Sequence, residues 1–163
     1  MKKTLFIFSI MAFLLAGCTS TGMSSKSTKS NTTAIVAAPN AFTGANLRLI
    51  GRFDLTNGQA AFTWPGSAIE FRFKGTQASI TVASQAKTRF IVSVDGNISN
   101  LWIEEGTHAY PLASNIANAE HTIRLTRVSE SSAGTTRFMS DPIVDGALLT
   151  PPPAPQRRLL VIG

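Results

Sequence analysis

Cysteine is nearly absent from this chain: Cys18 is the single one in 163 residues. One thiol excludes a disulfide framework and any zinc site built on cysteines. Histidine is almost as scarce. His108 and His121 are the only two, and their spacing matches no metal-ligand pattern. Charged residues make up only 15% of the chain, yet 44% is hydrophobic. The chain is therefore not disordered as a whole. No repeat period stands out, which argues against solenoids and propellers. No Gly-x-Ser-x-Gly elbow is present either, and residues 41–163 suffice for one core but not two.

The net charge of +6 is unevenly placed. Lys2, Lys3, Lys26 and Lys29 all precede the folding part. From residue 41 onward 11 Lys/Arg face 9 Asp/Glu, a balance of +2. The arginines there are scattered along alternating patterns, so nucleic acid is not expected as a partner despite a pI near 10.1. No cofactor and no metal are expected.

Lys2-Lys3 precede an apolar run from Leu5 to Ala16, then Gly17 and Cys18. A basic flank, a short apolar stretch and small residues at the cut site mark a secretory signal over residues 1–17. As a membrane span the run is too short, because the 14 residues from Thr4 to Gly17 give only ~21 Å as a helix against a ~30 Å hydrocarbon core. Leu15-Ala16-Gly17-Cys18 resembles the lipobox of bacterial lipoproteins. That resemblance implies cleavage before Cys18 and a diacylglyceryl group on its thiol. Each acyl chain adds ~0.8 kcal/mol per buried CH₂, so two or three chains anchor stably. Thr19, which is not Asp, follows the cysteine, and the expected location is the cell envelope, lipid-anchored at the outer membrane, with a periplasmic or secreted protein as the alternative.

Behind Cys18 lies a Ser/Thr/Lys-rich stretch. It cannot bury enough apolar surface to offset its ordering entropy, so residues 18–45 read as a flexible tether. From Leu47 the pattern is period two. Ile69, Phe71 and Phe73 alternate with Glu70, Arg72 and Lys74; Ala78, Ile80 and Val82 with Ser79 and Thr81; Phe90, Val92 and Val94 with Ile91 and Ser93; His121, Ile123 and Leu125 with Thr122 and Arg124. Leu47 to Phe53 reads the same way. Such alternation marks half-buried strands. Asn57-Gly58, Pro65-Gly66, Asp95-Gly96, Glu105-Gly106 and Asp145-Gly146 punctuate the runs as turns. Short strands at this spacing predict an all-β sandwich over residues 46–150. Only 112–120 has room for a helical turn. Residues 151–156 are a Pro-rich linker, and 157–163 resemble a buried parallel strand entering a loop.

Several ordered pieces together resemble the N-terminal domain of carbohydrate esterase family 2. They are Gly51-Arg52-Phe53-Asp54, Trp64-Pro65-Gly66-Ser67-Ala68-Ile69-Glu70, Phe73-Lys74-Gly75-Thr76, Val94-Asp95-Gly96, the run from Glu120 to Glu130, Val144-Asp145-Gly146, and Arg157 to Gly163. The resemblance implies a jelly-roll β-sandwich packed on an SGNH-type α/β hydrolase that deacetylates plant polysaccharides such as xylan. It also implies that Gly163 matches the glycine of a Gly-Asp-Ser nucleophile motif. The Asp, the Ser and the downstream catalytic His would lie beyond this chain. On that reading 157–163 begin a catalytic domain that is missing, the fragment is inactive alone, and its partners are that domain, an acetylated polysaccharide, and the membrane through Cys18. The rival is a free-standing surface lipoprotein whose sandwich binds glycans.

Within the chain itself no catalytic residue is assigned. His108, His121, Asp95 and Asp145 are the ingredients of a triad without its elbow, and His121 reads as a packed or edge-strand side chain. Glu104-Glu105 reads as a solvated turn, because adjacent strand residues point to opposite faces. Flat aromatic faces suit pyranose rings, which makes Trp102 and Tyr110 the candidate carbohydrate contacts. Trp64, beside Pro65-Gly66, is expected in the core as a turn-flanking residue.

Overall fold

The computed structural model describes residues 41–156. The signal with Cys18, the tether as far as residue 40, and the segment 157–163 lie outside the described residues.

Eleven strands follow in order: β1 (Leu47–Ile50), β2 (Ala60–Phe62), β3 (Ala68–Gly75), β4 (Ala78–Ser84), β5 (Thr88–Val94), β6 (Asn97–Ile103), β7 (Gly106–Ala113), β8 (Ala119–Arg127), β9 (Thr136–Phe138), β10 (Ile143–Val144) and β11 (Ala147–Leu149). Among the described residues the only helical pieces are 3-10 turns at Thr56–Gly58 and Ser131–Ala133. The first sheet runs β1-β3-β8-β5-β6, and β11 shares with β1 the outer edge of β3. The second runs β7-β4-β9-β2, with β10 beside β9 on the same edge of β4. Every pairing is antiparallel. The described residues form the all-β sandwich that the alternation predicts, the jelly roll that the family resemblance implies.

The alternation decides the inner faces. Phe71, Phe73, Phe90, Ile123 and Leu125 point inward from the first sheet, and Ile80, Val82 and Phe138 from the second. The Phe62 ring meets Phe90 edge-on across the sandwich at 6.1 Å and packs on Phe138 at 4.8 Å. Burying one such ring contributes roughly 2–3 kcal/mol. Asp95 and Gly96 take the left-handed backbone, φ 51° and 87°, that a two-residue hairpin between β5 and β6 needs. Gly146 is glycine for another reason: a Cβ there would lie 2.0 Å from the Lys74 carbonyl oxygen, where β11 meets β3.

Four expectations need correcting. The strand from Leu47 stops at Ile50, because Gly51 turns the chain at φ 102°. Phe53 then packs sideways on Phe62, ring centroids 5.0 Å apart, rather than continuing the alternation. Residues 112–120 hold no helical turn; β7 ends at Ala113 and β8 starts at Ala119. The tether does not extend to residue 45: Phe42 is 7% exposed in the core, and the backbone of Thr43 and Gly44 donates to Asp141 at 3.0 Å. One aromatic residue in a polar stretch has no period, so no pattern announces it. Trp64 is not a core residue but 56% exposed, since the Trp64–Ser67 turn leads the chain round the rim of the sandwich into β3.

The Pro-rich residues after β11 lie along the first sheet. Arg48 on β1 donates to the Pro153 carbonyl at 2.9 Å while its guanidinium pairs with the buried Glu70, which Arg124 also approaches at 4.0 Å.

Candidate functional site

Trp102 and Tyr110 are placed on different sheets. Trp102, on edge strand β6 opposite Arg89, is 51% exposed on the outer face of the first sheet. Lys87 sits over its ring, Nζ 5.6 Å from the centroid, and pairs with Glu104 at 2.7 Å. Tyr110, on β7 opposite Ile80, packs partly buried against the core. Its hydroxyl accepts the Glu104 N–H at 2.8 Å. The two rings therefore face different environments and do not form one stacking platform. Glu104 and Glu105 are both exposed beside the turn into β7.

Two of the titratable residues, His121 and Asp95, meet at one end of β8. His121 is the third residue of β8, buried against the Phe73 ring at 5.4 Å. Its Nδ1 lies 2.6 Å from Asp95 Oδ2 and its Nε2 lies 2.7 Å from the Ala117 carbonyl oxygen. Both neighbours are acceptors, so both ring nitrogens must donate, which requires the imidazolium. The Ala117 carbonyl and the Asp95 carboxylate accordingly raise the pKa of His121. Burial pushes Asp95 up, but the hydrogen bonds from His121 and the Thr122 N–H outweigh it and hold Asp95 below its ordinary value.

A His–carboxylate pair invites comparison with a hydrolase triad. A general base, however, needs one ring nitrogen free to take a proton from a nucleophile. Here Nε2 is occupied by a backbone carbonyl, so the pair is a structural clasp. His108 is exposed, and its Nε2 lies 2.8 Å from the Glu105 carbonyl oxygen. Asp145 is engaged as well, accepting from the backbone of Thr76 at 2.8 Å and Gln77 at 3.0 Å and from the Thr76 hydroxyl. Those bonds lower its pKa. Among the described residues no three His, Cys, Asp or Glu side chains cluster as metal ligands.

At the other end of β8, Arg127 is a buried hub that sequence reading did not single out. Its guanidinium donates to the carbonyls of Ser129, Glu130 and Gly134 at 3.1, 3.0 and 2.9 Å and to the Thr136 hydroxyl at 2.8 Å. Burial lowers its pKa. An inward arginine at the end of an alternating strand was the available signal, since a buried cation requires partners.

Beside this hub lies a groove of about 430 Å³, lined by Ile50, Arg52, Trp64, Pro65 and Ser67 among others. A second groove shares Ile50 and Gly51 and continues to Arg124 and Pro155. The Trp64–Ser67 turn is tied to β8 by Gly66 N–H to the Arg127 carbonyl and Arg127 N–H to the Ser67 carbonyl, both 2.9 Å.

Comparison with known proteins matches this architecture. The model of the carbohydrate esterase 2 N-terminal family covers residues 49–153. The cellulase/esterase CelE of Acetivibrio thermocellus is 34% identical over 116 residues, which is 69% of this chain and 14% of that protein. A family two carbohydrate esterase from Clostridium thermocellum, solved in complex with cellohexaose, superposes with TM-score 0.65 at 31% identity, over 68% of this chain and 35% of that one. A family two esterase from Cellvibrio japonicus has the same fold, with TM-score 0.66 at 19% identity over 72% of this chain and 36% of that one. The chain thus spans about a seventh of its curated relative and about a third of the solved ones. The family model spans this two-sheet sandwich from within β1 to beyond β11, and the chain belongs to the N-terminal domain family of carbohydrate esterase 2.

Proposed function

We propose that this chain supplies the N-terminal accessory sandwich of a polysaccharide O-deacetylase, held at the outer membrane by lipid on Cys18, and that ester hydrolysis belongs to a separate catalytic domain. The observation that carries this reading is the family match over residues 49–153, taken together with a His121–Asp95 pair whose Nε2 has no capacity left for a substrate proton. The similarity to esterases of which this chain matches about a third of the length or less supports it. The partner is an acetylated plant polysaccharide. The sandwich positions the catalytic domain, and the tether lets both reach polymer outside the membrane.

Two measurements test this. Purified chain is expected to leave an activated acetyl ester at the buffer rate; saturable turnover that persists through every purification scheme would refute the accessory role. Cys18→Ser is expected to move the protein from the detergent-soluble membrane fraction to soluble periplasm, or to leave it as uncleaved precursor, because the thiol that accepts lipid is gone. Unchanged partition and unchanged palmitate labelling would refute the anchor.

A second reading, a free-standing glycan-binding lipoprotein, is favoured by one observation: Trp64 and Trp102 are both half-exposed on the sandwich surface. Coding sequence after Gly163 that continues into Asp-Ser and a later His supports the esterase reading, and unrelated sequence supports this one.

A further inference from the structure

We infer that the groove beside Trp64 is a saccharide-binding site for a pyranose that carries a carboxylate. The inference rests on the reading that the partner is a polysaccharide, and it adds the place and the chemical class.

Trp64 offers a flat ring, 56% exposed, at the rim of the first sheet. The turn that carries it is not loose, because two backbone hydrogen bonds fasten it to β8. An exposed indole on a fixed turn is a stacking surface for the apolar face of a sugar ring. The groove's volume of about 430 Å³ falls in the range of small-ligand clefts, ~300–1,000 Å³. Beside the ring, Gly66 leaves open space, since a Cβ there would meet nothing within 4 Å.

Polar groups in the groove ask for a polar ligand. Ser67 is 2% exposed, lines the groove, and its hydroxyl has no hydrogen-bond partner among the described residues. Buried hydroxyls are ordinarily satisfied, so an unpartnered one needs an explanation; a sugar hydroxyl would provide its partner. Arg52 lines the same groove, is exposed, and makes no ion pair among the described residues. The adjoining groove adds Arg124 and Arg48, whose shared carboxylate, Glu70, is buried between them. A carboxylate arriving at Arg52 therefore meets a cationic rim with no acid exposed in it, and a guanidinium is the donor best shaped for a carboxylate. Trp102 lacks this setting: Lys87 lies over its ring, and Glu104 beside Lys87 would repel an acidic sugar. A purely apolar polypeptide segment would cover Trp64 but leave Ser67 and Arg52 unmatched.

The test uses the full chain with Trp102→Phe, which leaves Trp64 as the only tryptophan. Its emission is followed as glucuronoxylan, the same polymer after carboxyl reduction, and a neutral β-glucan are added. Saturable change with glucuronoxylan, at least ten-fold weaker with the reduced polymer and the β-glucan, is expected. Affinity electrophoresis of the otherwise native chain should show Trp64→Ala abolishing retardation. Arg52→Gln, an exposed change that leaves the fold alone, should erase the preference for the carboxylated polymer. The proposal is overturned by absence of binding, by binding that survives both substitutions, by equal affinity for the reduced polymer, or by Trp64 emission already shielded from acrylamide in the ligand-free chain, which would mean that polypeptide covers it. Binding is read without hydrolysis. A chain that binds through Trp64 but belongs to no deacetylase overturns only the proposed function; a proven deacetylase whose Trp64 binds nothing overturns only this site.

Discussion

Strand β8 carries a buried cation at each end, and the two are held by opposite chemistry. Arg127 is 1% exposed and donates only to neutral oxygens: three carbonyls and the Thr136 hydroxyl at good distance, with the Phe62 carbonyl further off at 3.5 Å. His121, six residues earlier on the same inward face, is held by one carboxylate and one carbonyl. The guanidinium is charged at any pH a protein meets, so its fork ties β2, β9 and the 129–134 loop to β8 unconditionally. The imidazole has two donors only while protonated; when neutral, one of its two short contacts becomes acceptor facing acceptor. One end of the sandwich is thus fastened permanently and the other conditionally.

The comparison breaks hardest at Arg127. Arg127→Leu keeps the bulk but strands the Ser129, Glu130 and Gly134 carbonyls and the Thr136 hydroxyl without their donor. The expected loss is about 4 kcal/mol or more, read as a lowered urea midpoint at unchanged slope. A loss below about 1 kcal/mol would show that water replaces the fork and that this end is not the stronger one.

At the conditional end, Gly146→Ala should cost about 1–3 kcal/mol by overpacking, because its Cβ would lie 2.0 Å from the Lys74 carbonyl oxygen. The damage should be local: hydrogen exchange is expected to accelerate along β11 and its partners Arg72, Phe73 and Lys74, while the amides around Arg127 stay protected. Faster exchange throughout would mean the two ends unfold as one unit.

The smallest effect is also the sharpest test of the contrast. His121 has its pKa raised in the fold, so its contribution is fully present below its unfolded value and is lost as pH rises through the raised folded value. Asp95 is lowered, so its contribution is present above its unfolded value and is lost as pH falls through the lowered one. Stability from the clasp should therefore plateau on the mildly acidic side, decline as pH rises from the unfolded His121 value through the raised folded one, and level off beyond it. His121→Phe, which keeps the packing on Phe73, should flatten that decline, as followed by urea midpoints across the pH range. A decline unchanged in His121→Phe would place its source elsewhere.

Much of this was legible without coordinates. The inward positions Phe71, Phe73, Ile80, Val82, Phe90, Ile123 and Leu125 follow from period two, because successive side chains on a strand point to opposite faces whatever the strand pairs with. The Asp95-Gly96 hairpin follows from the positive φ that only a few residues accept. The ordered set of short motifs was enough to indicate the family. The short strands β9, β10 and β11 carried no such signal, because two or three residues do not establish a period.

The sequence by itself determined the class of fold, the faces of its long strands and the family, since each depends on backbone geometry within a few residues or on the order of motifs along the chain. Only the tertiary structure decided that Trp64 lies open while Phe42 is buried, that Trp102 and Tyr110 do not share a face, that Pro153 rests on Arg48, and that His121 meets Asp95 while Arg127 meets only neutral oxygens. Each of these is a pairing between segments far apart in the chain, chosen by which strands become neighbours. A residue's own chemistry states what partners it needs, but only the closed sandwich settles which partners it has.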